Sequence, residues 1–133
     1  MNDNIKAVIA ECTHASDEER ITFPQVVGKL MAAGVERYHA DLVRDEKIYY
    51  MPDGENERTP CYAVEVEPSH AFAASGVDAA VRAIQRGEIK YREFCARIAK
   101  AGCVGYIVSM AGKRAVYCGR SGEMHVEMFP GAK

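Results

Sequence analysis

The chain has 133 residues, a formal net charge of −2, 48% hydrophobic and 27% charged residues, the balance of a folded globular domain and not of a disordered chain. Its longest run without Asp, Glu, Lys or Arg is Ala101 to Gly112, twelve residues, against the roughly 20 apolar residues that a membrane-spanning helix needs. MNDNIKAVIAEC at the N-terminus has no basic leader, and the five cysteines contain no CxxC pair, so a bacterial-type protein of the reducing cytoplasm is expected.

Along the chain, Ile5, Val8, Ile9 and Cys12 recur at helical spacing and predict a first helix. Thr22 and Gln25 have the spacing of a capping box, with Pro24 in the first turn. Phe23, Val26, Val27, Leu30 and Met31 then form one stripe, which Gly34 ends. Residues 36–43 alternate Tyr38, Ala40 and Leu42 with Arg37, His39 and Asp41, as a strand does. A turn at Arg44-Asp45 returns it through Ile48, Tyr49 and Tyr50, leaving open which tyrosine faces outward. After a turn at Asp53-Gly54, a third strand is predicted over 61–67, where Tyr62, Val64 and Val66 alternate.

EPSHAFAASG, Glu67 to Gly76, reads as a connector, and a second set of elements follows it. Val77, Ala80, Val81 and Ile84 make one helix stripe; Tyr91, Phe94, Cys95, Ile98 and Ala99 make another, ended by Gly102. A hairpin turning at Gly112-Lys113 and a strand over 124–129 complete the set. Sliding 21–55 onto 89–123 without a gap gives seven identities, among them Gly34/Gly102, Tyr38/Tyr106 and Tyr49/Tyr117. About two would arise by chance. The expected architecture is α+β and two-layered: a tandem duplication of an α-α-β-β-β unit (about 4–67 and 72–131), with an antiparallel sheet carrying its helices on one face. The two units would form one domain with a shared core, because a unit of about 60 residues alone buries little.

The segments TFPQVVGKLMAAGVERYHADLVRDEKIYY and AGCVGYIVSMAGKRAVYCGRSGEMHVEMFPG resemble the YbcV-like family of small uncharacterised bacterial proteins, some of which carry the label "phage envelope protein". The resemblance implies a soluble bacterial protein and supplies no catalytic residue.

For function, positions that differ between the copies are the informative ones. His39 and Asp41 alternate outward on one strand, and His125 and Glu127 do so on the last. With Glu65 and Glu67 they are expected on the sheet face away from the helices, a set of side chains that suits a divalent metal or a ligand. No ligand spacing is diagnostic, so no metal is assigned. Tyr49 and Tyr117 occupy equivalent hairpin positions and are candidates either for a ligand wall or for packing at the sheet centre. Tyr38 and Tyr106 fall in the apolar phase and are expected in the core.

Residues 1–67 hold 7 Lys/Arg against 14 Asp/Glu, and residues 68–133 hold 10 against 5. Opposed halves could pair between molecules, giving a homo-oligomer. Arg82, Arg86, Lys90, Arg92, Arg97 and Lys100 cluster on two predicted helices and could meet phosphates, although a pI near 6.1 disfavours nucleic acid as a partner. No GxSxG, P-loop, GxGxxG or HExxH occurs, so neither a catalytic residue nor a cofactor is assigned. Cys103, just beyond a helix end, is more simply a buried thiol than a nucleophile. The expected function is a non-enzymatic binding or interaction module. A metal- or ligand-dependent enzyme built on the polar sheet face is the alternative, and nucleic-acid binding the second alternative.

Overall fold

Asn2 opens helix α1 (Asp3–Asp17) by accepting the Ile5 N–H at 2.9 Å, in a computed structural model that describes residues 1–131. α2 (Phe23–Ala32) begins with the capping box that the sequence spells: Gln25 N–H donates to Thr22 Oγ1, and Thr22 N–H donates to Gln25 Oε1. Thr22→Ala should therefore lower the unfolding free energy by about 1 kcal/mol. Urea denaturation with an unchanged m-value would show it; an unchanged midpoint would mean that the box adds nothing.

After Gly34 the chain enters the hairpin β1 (Arg37–Asp41) and β2 (Glu46–Tyr50), then β3 (Asn56–Pro60). α3 (Ala74–Gln85), α4 (Tyr91–Lys100), β4 (Cys103–Ser109), β5 (Arg114–Gly119) and β6 (Met124–Met128) repeat this order. All six strands form one sheet in the order β3-β2-β1-β4-β5-β6, every neighbour antiparallel. The fold is α+β, as expected. The β1–β4 pairing is centred on His39 opposite Ile107. These residues stand 68 positions apart, the offset of the sequence match.

Asp45 and Lys113 take left-handed φ angles of 56° and 52° at the hairpin tips. Asp41 and Ser109, equivalent in the two units, brace these turns: Asp41 Oδ1 accepts Val43 and Arg44 N–H, and Ser109 Oγ accepts Gly112 N–H. The two hairpins thus solve the same turn problem with different side chains.

The third strand lies earlier than predicted. Residues 56–60 pair with β2, whereas 61–67 form an irregular path in which Val64 N–H donates to Asp45 Oδ1 and the Val64 side chain packs on the core. β3 is an edge strand reading NERTP, so it has no apolar alternation to betray it.

Pairing register assigns the two sheet faces. Tyr38, Ala40, Lys47, Tyr49, Tyr106, Val108, Ala115 and Tyr117 share one face and are buried. The helices pack on that face, with Leu30 of α2 and Ile98 of α4 both at 0% exposure. Among the described residues, no helix is long and apolar enough to cross a membrane.

Candidate functional site: a tyrosine-walled cavity with a buried lysine

The polar cluster expected on the open sheet face does not assemble. His39 pairs with Ile48 and Ile107 on the face without helices, where it lies against Arg37 and the Tyr50 ring. Burial, and then the Arg37 charge, lower its pKa. Asp41 shares that face and is engaged in its turn. His125, in contrast, pairs with buried Tyr117, and Glu127 with buried Ala115, so both face the helices. Glu65 and Glu67 lie in the irregular segment, outside any strand. On β6 it is Met124, Val126 and Met128 that face outward. The edge strand inverts the usual pattern because α3 offers polar partners beneath it. Arg82 bonds Glu127 at 2.5 Å and Asp78 at 3.3 Å, and His125 Nε2 lies 3.7 Å from a carboxylate oxygen of each. Asp78, His125 and Glu127 could present three ligand atoms to an ion, but the Arg82 guanidinium already supplies a cation there.

The basic residues of α3 and α4 are mostly matched by carboxylates. Arg86 pairs with Glu88, Arg97 with Glu93, and Arg92 approaches Glu19 while donating to the Asp17 carbonyl. Lys90 and Lys100 make no ion pair among the described residues. Cys103 is fully buried, its thiol donates to the Gly105 carbonyl, and burial pushes its pKa up to about 11, which denies it the thiolate a nucleophile needs.

Tyr49 and Tyr117 both face inward. They belong to a row of four tyrosines across the sheet centre, with Tyr49–Tyr38, Tyr38–Tyr106 and Tyr106–Tyr117 ring centroids 5.2, 6.5 and 5.3 Å apart. Tyr50 is the outward member of its pair and lies under the Arg37 guanidinium, 4.2 Å from the ring centroid. Tyr49 hydrogen-bonds Thr13 at 2.8 Å, and Tyr106 reaches Tyr91 at 3.4 Å. Tyr38 and Tyr117 have no hydroxyl partner among the described residues, and both line a cavity of about 680 Å³ between helices and sheet. Its inner wall is Tyr38, Tyr106, Tyr117, Ala115, Val81 and Phe94. Its exposed lining comes from Thr22, Phe23, Gln85, Gly87, Lys90 and Pro130. A second depression of about 430 Å³ lies between α1 and α2, and its polar lining residues Asn4, Glu11 and Lys29 are all exposed.

Lys47 is the unexpected member of the larger cavity. It is 3% exposed, stands on the inner face of β2, and makes no hydrogen bond or ion pair among the described residues. Its ammonium lies 4.7 Å from the Tyr91 ring centroid and 5.8 Å from that of Tyr38, so aromatic faces supply part of its solvation. Burial lowers its pKa, opposed by weak attractions from Cys61, Cys95, Asp17 and Cys12. Asp17 Oδ1 is itself buried without a hydrogen bond among the described residues. The sequence held a signal for Lys47: it is in phase with Tyr49, and its counterpart at the 68-residue offset is Ala115. A lysine in phase with core Tyr49, at a position whose 68-residue match is core Ala115, belongs inside.

No curated protein matches the chain. Residues 62–128, from the segment after β3 to the end of β6, match the family model described as "Protein of unknown function (DUF1398)"; they span half of the chain, which therefore belongs to the DUF1398 family.

Proposed function

We propose that the protein is a non-enzymatic binding module that takes a small, largely apolar molecule into the cavity between its helices and its sheet. The observation that carries this reading is the cavity itself, about 680 Å³ and walled by Tyr38, Tyr106 and Tyr117. That size is within the roughly 300–1,000 Å³ usual for small-molecule sites, and aromatic walls with a few convergent polar groups suit them. A merely structural row of tyrosines would be packed over on its helix side. Here two hydroxyls and an ammonium stand without hydrogen-bond partners among the described residues.

The two α-α-β-β-β units fit descent by duplication within a single cytoplasmic domain, and similarity to the YbcV-like proteins is compatible with that origin. Divergence at Lys47/Ala115 then makes the cavity asymmetric. Isotope-edited NMR titration with neutral aromatic fragments such as indole tests the proposal. Amide shifts should concentrate on Tyr38, Lys47, Tyr106, Ala115 and Tyr117. Shifts confined to the open sheet face, or none at millimolar fragment, would rule out the cavity as the binding site.

A further inference from the structure

We propose that Lys47 anchors the carboxylate of an apolar, ring-bearing acid, which fixes the ligand class of the cavity; this rests on the cavity being a small-molecule site. An ammonium taken out of water without a counter-charge is strongly disfavoured, and proteins normally pair or relocate it. Lysine usually escapes by running its stem along the surface and putting its head in water. Lys47 does not: the residue is 3% exposed on the inner face of β2, and its ammonium lies beside the Tyr91 and Tyr38 rings. Asp17, a carboxylate that attracts it, forms no ion pair with it among the described residues. Lys47 lines the cavity, and its three donors make no hydrogen bond among the described residues.

The rest of the wall decides what carries the anion. Val81, Ile84, Ile89 and Phe94 are apolar; Tyr38, Tyr106 and Tyr117 carry hydroxyls, which can donate to a carboxylate oxygen; and the carboxylates in the lining, Glu19 and Glu127, face Arg92 and Arg82. A phosphate or sulfate, with several charged oxygens, would leave most of them against hydrocarbon. A monocarboxylate needs one cation and one or two donors, which Lys47 and its tyrosine neighbours provide. The remaining volume then fits one or two rings.

The test compares naphthoate with naphthamide, matched in shape and differing in charge, by calorimetric titration of wild type and Lys47→Met. Wild type should bind the acid at least about tenfold more tightly than the amide, since charge-assisted hydrogen bonds are worth about 1.5–3 kcal/mol. In Lys47→Met the preference should vanish while amide affinity stays the same. Acid and amide binding wild type equally would overturn the anion assignment and leave the cavity reading standing. A preference surviving in Lys47→Met would also overturn it, placing the anion elsewhere, for instance on Lys90 at the mouth. Binding of neither compound would overturn both readings. The wild-type comparison decides the matter even if the variant does not fold.

Discussion

Gly102→Ala is expected to lower the unfolding free energy by about 4 kcal/mol, far more than the same change at Gly34. Both glycines end a helix with left-handed φ, +92° and +87° respectively, and any L residue placed there takes on strain of about 1–2 kcal/mol. The surroundings make the difference. A Cβ at Gly34 meets only Met51 Cε at 3.6 Å, whereas at Gly102 it would sit 2.3 Å from the Ala71 carbonyl oxygen and 2.8 Å from Phe72 Cα. These are backbone atoms in the connector, which is tied down by Ser69 N–H to the Ala99 carbonyl and Ala73 N–H to the Ala101 carbonyl. They cannot swing aside as a side chain would. Relief means lifting the connector, with Phe72 leaving its place against the core. Paired urea denaturation of Gly102→Ala and Gly34→Ala checks this, with Gly34→Ala losing about 1–2 kcal/mol. Equal losses would mean that the connector does not lie across the end of α4.

That contrast also shows what a sequence match can carry. Gly34 and Gly102 align, and their shared role as helix terminators follows from residue type and spacing alone. The close approach of 71–72 to one of them depends on where the connector runs, which no local pattern encodes. The stripes from Val26 to Leu30 and from Phe94 to Ile98 were legible because a buried helix face imposes its period on the residues that fill it. β3 was not legible, because an edge strand needs only backbone pairing and NERTP has nothing to bury.

β6 lies where the alternation predicts a strand, but with its faces exchanged. Its apolar residues Met124, Val126 and Met128 face outward, since the register with β5 places His125 and Glu127 above the polar side chains of α3. Alternation gives a strand two faces and leaves the choice between them to its neighbours. The same limit split the candidate site. His39 and His125 both alternate correctly, yet they emerge on opposite sides of one sheet. Lys47 is hidden in the sequence for the converse reason: a charged residue in a strand reads as outward unless the phase set by Tyr49 is allowed to overrule its chemistry.

In the absence of ligand, Lys47→Met should stabilise the protein by about 2 kcal/mol near neutral pH, because an apolar side chain of similar length replaces an unpaired buried ammonium. The pH dependence identifies the cause. Burial holds the folded-state pKa of Lys47 below 10.5, its value in the unfolded chain. Between those two pKa values the unfolded state binds more protons, so wild-type stability rises with pH across that window. Below the folded pKa the penalty is fully present; above about 10.5 it is gone. The advantage of Lys47→Met should therefore narrow as pH rises from neutrality toward 10.5. Apart from Cys12, Cys61 and Cys95, whose pKa values the Lys47 charge lowers, the buried titratable groups are common to both proteins, so the difference between the two denaturation curves reports chiefly on Lys47. A variant less stable than wild type, or a gap constant with pH, would mean that the ammonium has a protein partner such as Asp17 in solution. A narrowing gap would instead show instability held at the cavity wall, as binding sites often hold it. A bound carboxylate would offset that instability only where the lysine is present, so naphthoate should raise the melting temperature of wild type more than that of Lys47→Met, in which it should act no more strongly than naphthamide.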